Sequence, residues 1–356
     1  MDESRVAFLK RLLNTPGPSG DEEAAAKVWR EEASGFADKV STDMRGNSYA
    51  LLAGAGPQVL LAGHIDEIGL MVSYIDDSGY LSFAPIGGWD AQVLVGQRVR
   101  LLGHAGEVLG VIGKKPIHLL KSDERGQAST IERMWIDIGV DSRDEALAHV
   151  RVGCVAVIDA PLYELPHGRI VSRSLDNRIG AFTVLEALRL LSQNRPTASV
   201  AAVATTQEEI TLAGAATAAF HFDPQVAIVV DVTFATDHPE SDKHQYGDVK
   251  LGGGPVLSRG SANSPLVYAR LLDVAERAGI AYSLQITPRS TGTDADAIHK
   301  SRSGVATGTV SIPNRYMHSP NEMVALADVE SAAQLIAAFV RSIASAEEFI
   351  PGFGSR

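Results

Sequence analysis

Three short apolar runs, each of strand length and each ending beside an acidic or imidazole side chain, limit this chain more than any other feature. Residues 59–63 lead into His64, residues 199–205 into Gln207-Glu208-Glu209, and residues 226–230 into Asp231. Short apolar runs bounded by turn residues read as strands buried on both faces. Strands of that kind belong to a mainly parallel sheet with helices covering both sides. Open sheets of this class hold ligands beyond the carboxyl ends of their strands. The four side chains are therefore expected along one sheet edge.

Two more segments carry the same chemistry, Ser174-Leu175-Asp176-Asn177-Arg178 and Met317-His318-Ser319-Pro320. Two histidines and several carboxylates without thiolate suit catalytic Zn, Co or Mn better than a closed structural zinc site. Two cations about 3.5–4 Å apart can share a carboxylate and hold a hydroxide between them. Adjacent carboxylates at Glu208 and Glu209 would repel each other unless cations compensate them. Neighbouring side chains point in different directions, so one can ligate while the other takes a proton from the activated water and passes it to a leaving amine. Asp66, two residues after His64, lies on the same side of an extended chain and can accept the other imidazole N–H. Taken singly, each residue has a plainer role: Glu208-Glu209 as the head of a helix through residues 210–220, Asp231 as a turn residue, His318 as loop punctuation. Their joint occurrence at strand ends favours the metal site.

At 356 residues, the length suggests two domains or one large domain with an insertion. The net charge of −11 argues against nucleic acid or an anionic membrane as main partner. No apolar run approaches the roughly 18 residues that cross a bilayer. Met1-Asp2-Glu3-Ser4-Arg5 lacks the layout of a signal peptide, so a cytoplasmic protein is expected. The single cysteine, Cys154, excludes an internal disulfide and is expected to be a buried strand residue.

Helical periodicity appears over residues 4–13, then in a second helix opened by Ser19 with Asp21 and Glu22, and later over 177–191, 265–278, 294–299 and 327–346. Between about residues 70 and 162 the pattern changes to short β-type segments separated by glycines, with one helix at 143–150. The expected organisation is a catalytic domain in two parts, 1–70 and 163–356, around a β-rich insert, 71–162.

These segments match a known pattern. With Gly63-His64-Ile65-Asp66-Glu67-Ile68-Gly69, Ser172-Arg173-Ser174-Leu175-Asp176-Asn177-Arg178, Thr205-Thr206-Gln207-Glu208-Glu209, Gly292-Thr293-Asp294-Ala295 and His318-Ser319-Pro320-Asn321-Glu322, the chain resembles the dinuclear metallo-aminopeptidases. These are the glutamyl aminopeptidase, deblocking aminopeptidase and tetrahedral (TET) peptidase group, some of whose members carry endoglucanase or cellulase labels. The resemblance covers essentially the whole length. It implies an α/β fold: a three-layer α/β/α zinc-exopeptidase-like catalytic domain with an inserted β-barrel-like, PDZ-like dimerisation domain. It implies two divalent metal ions per subunit, His64 and Asp231 on one, Glu209 and His318 on the other, and Asp176 bridging. Glu208 would be the catalytic base and Asp66 would orient His64. Short peptides would be the substrates, and dimers would build hollow dodecamers.

Asp296 stands where many relatives carry Gly, and is expected to cap or face solvent rather than select substrate. Gly252-Gly253-Gly254-Pro255 lacks the Gly-Lys-Ser/Thr ending of a phosphate loop and is expected to border the substrate pocket. The main rival is a related amidohydrolase, a deacylase or a carboxypeptidase, the latter needing a cationic anchor such as Arg259 or Arg289. A non-catalytic assembly protein and an endoglucanase rank lower, since neither uses the whole ligand set.

Overall fold

The computed structural model describes residues 1–123 and 125–352. The chain opens with helices α1 (Glu3–Asn14) and α2 (Glu23–Ala33), then strands β1 (Lys39–Thr42), β2 (Ser48–Leu52) and β3 (Gln58–His64). It then leaves the sheet for a closed barrel of β4 (Gly69–Ile75), β5 (Leu81–Ile86), β6 (Arg98–Gly103), β7 (Gly106–Lys114), β8 (Met134–Asp137) and β9 (Val155–Ile158). Short helices α3 (Ala91–Leu94) and α4 (Arg143–His149) accompany the barrel. After β10 (Tyr163–Leu165) and β11 (Arg169–Ser172), the long helix α5 (Leu175–Gln193) returns the chain to the sheet. Then follow β12 (Ser199–Thr205), α6 (Glu208–Thr211), α7 (Ala213–Phe222), β13 (Val226–Phe234), α8 (Lys243–Tyr246) and β14 (Val256–Gly260). The chain closes with α9 (Pro265–Ala278), β15 (Ser283–Thr287), α10 (Ala295–Ile298), β16 (Ala306–Asn314), β17 (Glu322–Ala325) and α11 (Leu326–Arg341).

Among the described residues the main sheet runs β1-β2-β12-β3-β13-β16-β14-β15. The three apolar runs are its centre, with β12, β3, β13 and β16 mutually parallel. Alternate residues sort by face. Val59, Leu61, Ile228 and Val230 meet a helix layer that includes Leu9, Trp29, Phe182, Leu271 and Phe339. Leu60, Ala62, Val203 and Val229 meet Ala215, Ala218 and Ala219 of α7 and Ala295 and Ile298 of α10. The result is the expected three-layer α/β/α unit, with a separate core inside the barrel built on Leu70, Val72, Leu101 and Ile136. Helix α5 is buried along most of its length, including polar residues such as Asn177, Arg178 and Thr183, beyond the apolar face its periodicity shows.

Some local expectations give way. Leu212 takes a left-handed conformation (φ 56°) and splits the expected 210–220 helix into α6 and α7. The last helix stops at Arg341, and Ala346–Phe349 forms a separate turn whose start is capped reciprocally by Ser345 and Glu348. Cys154 lies just ahead of β9 and is half-buried rather than inside the strand. Ser19 does not open α2; Glu22 sits at that cap position, and the Ser19 hydroxyl is used elsewhere. The last four residues of the expected C-terminal part lie outside the described residues.

Candidate metal centre

His64 is the final residue of β3. Asp231 lies in β13, two places past the Val229–Ala62 pairing with β3, so the two side chains share a sheet face. Beyond β12, Gln207 adopts a left-handed conformation (φ 56°) that turns the chain into α6 with Glu208 and Glu209 at its start. The irregular first turn of α5 supplies Asp176, and a left-handed residue in the loop before β17 supplies His318 (φ 59°). Helix α5 approaches β3 closely because glycines meet there. A Cβ on Gly63 would lie 2.6 Å from the carbonyl carbon of Gly180.

The side chains converge. His64 Nε2 lies 3.3 Å from Asp176 Oδ1, 3.9 Å from Asp231 Oδ1 and 3.7 Å from Glu208 Oε2. His318 Nε2 lies 3.3 Å from the other Asp176 oxygen and 3.4 Å from Glu209 Oε2. Two three-residue groups result, His64-Asp176-Asp231 and Asp176-Glu209-His318, each with ligand atoms within 4.8 Å of one another. Asp176 belongs to both.

A surrounding set of acceptors fixes these groups. Asp66, fully buried, has Oδ1 3.3 Å from His64 Nδ1. It also accepts the Ser19 hydroxyl at 2.5 Å and the backbone N–H groups of Glu208 and Glu209 at 3.1 and 3.2 Å. Glu322, also buried, accepts the backbone N–H groups of Asp176 and His318, both at 2.9 Å. The carbonyl of Gly88, in the barrel, lies 2.9 Å from His318 Nδ1, which must donate because a carbonyl only accepts. Asp294 accepts the Thr205 hydroxyl at 2.5 Å, and its second oxygen is buried without a partner. Glu67 and Arg178, prominent in the same motifs, serve the scaffold. Arg178 binds the Glu67 carboxylate and several backbone carbonyls of the first 65 residues.

Sequence reasoning passed over Ser19, Gly88 and Glu322 as site residues. Only Glu322 left a signal, as an acid in the His318-Ser319-Pro320-Asn321-Glu322 segment.

The electrostatics call for positive charge. Burial pushes Glu208 up to about 10, with Asp231, Asp294 and Glu209 adding repulsion. Burial raises Asp231 well above the carboxylate range, and Asp294 to about 6. Burial opposes a charged His64, but Glu208, Asp66 and the bond to Asp176 outweigh it and draw its pKa well up. His318 is drawn up to about 11 by its bonds to Asp176 and Glu209. Glu209 Oε1 is buried without a partner. Among the described residues no lysine or arginine forms an ion pair with Asp176, Glu208, Glu209 or Asp231. A purely nitrogen-and-oxygen donor set, an orphaned carboxylate oxygen and a cluster of buried carboxylates whose ion-pair partners among the described residues are imidazoles all fit hard or borderline divalent cations.

The centre opens into a cavity of about 550 Å³ reached by Asp176, Glu208, Glu209, Asp231 and His318. Three expectations fail here. The Gly252–Gly254 turn does not line the cavity; Asp328 accepts its N–H groups at 2.8 and 2.7 Å at the start of α11. Arg259 and Arg289 do not line it either. Asp296 neither caps α10 nor faces open solvent: its carboxylate accepts the N–H groups of Thr291 and Gly292 and the Thr291 hydroxyl, holding a cavity wall.

Known proteins with the same layout give this geometry a context. The family model for M42 glutamyl aminopeptidase matches residues 46–335. A putative aminopeptidase of Acetivibrio thermocellus is 37% identical over 94% of this chain and 98% of its own length. The lysyl aminopeptidase of Pyrococcus furiosus is 36% identical over 94% of this chain and 96% of its own. The TET aminopeptidase of Thaumarchaeota archaeon SCGC AB-539-E09 superposes with a TM-score of 0.92 at 35% identity, covering 96% of this chain and 97% of that one. The Pyrococcus horikoshii TET1 peptidase, described as assembling into a tetrahedron or a large octahedral shell, superposes with a TM-score of 0.85 at 32% identity over 95% of this chain and 100% of its own.

Proposed function

Because the chain belongs to the M42 glutamyl aminopeptidase family and is an enzyme of aminopeptidase type, we propose that it removes N-terminal residues from short peptides at a centre of two divalent cations. The observation that carries this is the pair of ligand groups sharing Asp176. His64, Asp176 and Asp231 would hold one cation, and Asp176, Glu209 and His318 the other. Zn, Co and Mn all suit such donors. When bound, the pair would activate water and stabilise the oxyanion of peptide hydrolysis.

The chain's own residues divide the remaining work. Glu208, beside His64 and reaching the cavity, takes the proton from the attacking water and delivers it to the departing amine. Asp66 orients His64 through Nδ1 and fixes the turn that places Glu208 and Glu209 side by side. The acidic lining of the centre attracts the free ammonium group of an unblocked peptide. A carboxypeptidase would need a cation for the substrate carboxylate, and among the described residues no Lys or Arg lines the cavity.

Self-association into dimers and larger shells is the second part of the proposal. Exposed Met71, Leu109 and Val111 on barrel strands supply apolar surface for it. No helix among the described residues is long and apolar enough to cross a membrane.

The test is removal of metal by chelation, followed by reconstitution with Zn, Co or Mn and assay on unblocked aminoacyl substrates. Activity that survives complete metal removal, or hydrolysis of N-acylated amino acids in place of aminoacyl substrates, overturns the reading.

A further inference from the structure

The cavity beside the metal centre has a floor of one chemical character. The pairings Asp231–Ser311, Leu257–Val310 and Leu257–Leu284 put Asp231, Ser311, Thr309, Ser258 and Gln285 on one face of the sheet. Farther back, the same face carries Val229 and Ala227 under α7 and α10. That helix layer does not extend over β14, β15 and the outer end of β16; there the face is hydroxyl- and amide-bearing and borders the cavity. A polar face beside a ligand centre, on strands β14 and β16 whose opposite face is core (Leu257, Val310), is a surface built for something other than packing.

Resting on the aminopeptidase reading, we propose that this floor receives the side chain of the substrate's N-terminal residue and selects uncharged residues. Ser258, Gln285, Thr287, Thr309 and Ser311 can donate and accept hydrogen bonds but carry no charge. Every charged side chain lining the cavity belongs to the metal centre: Asp176, Glu208, Glu209, Asp231 and His318. Of the two acids that follow this wall, Asp294 is buried and accepts the Thr205 hydroxyl, and Asp296 accepts backbone and hydroxyl donors of residues 291 and 292. Arg259 points from the opposite sheet face, in register with Ile286. A lysyl or arginyl side chain entering here would lose its hydration without gaining a carboxylate, and a glutamyl one without gaining a cation. This separates the chain from the lysyl enzyme it resembles and from the glutamyl specificity in its family's description.

The experiment is a kcat/KM panel on the metal-loaded enzyme with the p-nitroanilides of Leu, Met, Gln, Lys, Arg, Glu and Asp. The uncharged substrates are expected to exceed all four charged ones by roughly 100-fold. Gln285→Glu, which keeps an acceptor for the Thr233 hydroxyl now 2.9 Å away, is expected to raise the Lys-to-Leu ratio by at least about 10-fold. Ser258→Asp is the second variant should the first not fold. Faster cleavage of any charged substrate by the wild type, or an unchanged ratio in a folded variant, overturns the inference while leaving the aminopeptidase reading intact. Failure to cleave any aminoacyl substrate, with cleavage of N-acylated ones, removes both.

Discussion

His318 donates its Nδ1–H to the carbonyl of Gly88, 2.9 Å away and 230 positions earlier in the chain. The ring belongs to the α/β/α unit and the carbonyl to the turn after β5 of the barrel, so the barrel sets the tautomer that leaves Nε2 facing Asp176 and Glu209. The adjacent Gly87 has φ 77°, and a Cβ there would lie 2.5 Å from Ile68 Cγ2. Gly87→Val is therefore expected to displace the turn and weaken the cation held by His318 by about 10–100-fold, with the His64 side less affected. Metal titration followed by calorimetry checks this; unchanged affinity at both positions would detach the barrel from the centre.

Glu208 reaches the cavity and belongs to neither ligand group. Glu208→Gln is expected to bind metal as the wild type does while kcat falls by roughly 10²–10⁴-fold. Metal content by mass spectrometry and turnover on an aminoacyl substrate are read together. Near-normal turnover in a metal-loaded variant would take the proton-transfer role away from this residue.

Asp66 accepts from Ser19, Glu208 and Glu209 and lies against His64. Asp66→Asn keeps the shape and the main-chain carbonyl that accepts from His64 Nδ1 at 3.2 Å, but removes the charge that strengthens this donating tautomer. Metal affinity is expected to fall about 10–100-fold, with a larger loss in kcat because the Glu208-Glu209 turn loosens too. Ser19→Ala removes only one of those bonds and is expected to show a smaller loss of the same kind.

Glu322 ties together the backbones of Asp176 and His318 across 142 positions of sequence. In Glu322→Gln one amide N–H₂ faces a backbone N–H that had an acceptor. A buried donor left unpaired costs about 1–3 kcal/mol. Lower thermal stability and binding of one cation in place of two are the expected outcomes; a variant with wild-type Tm and full stoichiometry would show that the clamp is dispensable.

The metal-free protein is expected to lose stability as pH rises from about 6 to about 9. Glu208, raised to about 10 by burial, and His318, raised to about 11 by Asp176 and Glu209, both hold protons when folded that they release when unfolded, across this range. A folded pKa above the unfolded value gives stability that is whole below the unfolded pKa and lost on the way up to the folded one. Asp66 and Asp176 shift the other way: burial opposes ionisation, but their bonds and attraction to the histidines outweigh it. Their contribution is already complete above about pH 5, so it does not reverse the sign. Thermal melts in chelator should show Tm falling by several degrees over that interval. A flat or rising Tm would contradict the charge balance drawn from the site.

The chain's local pattern determined the three central strands of the sheet and placed His64 and Glu208-Glu209 at or just past strand ends, because strand burial and period are properties of neighbours in sequence; Asp231, expected just after its strand, lies inside β13, which runs on to Phe234. The same pattern marked residues 71–162 as β-rich and 177–191 as helical. Tertiary structure decided what no local window contains. Ser19, read as a helix opener, became a donor to Asp66 47 positions away. A carbonyl of the barrel came to orient His318, and Glu322 came to join two distant backbones. The uncharged floor of the cavity arises only where four strands set alternate residues side by side and the covering helices stop short. Hydrogen bonds and charge act over a few ångströms of space, and only the folded sheet converts sequence distance into that proximity.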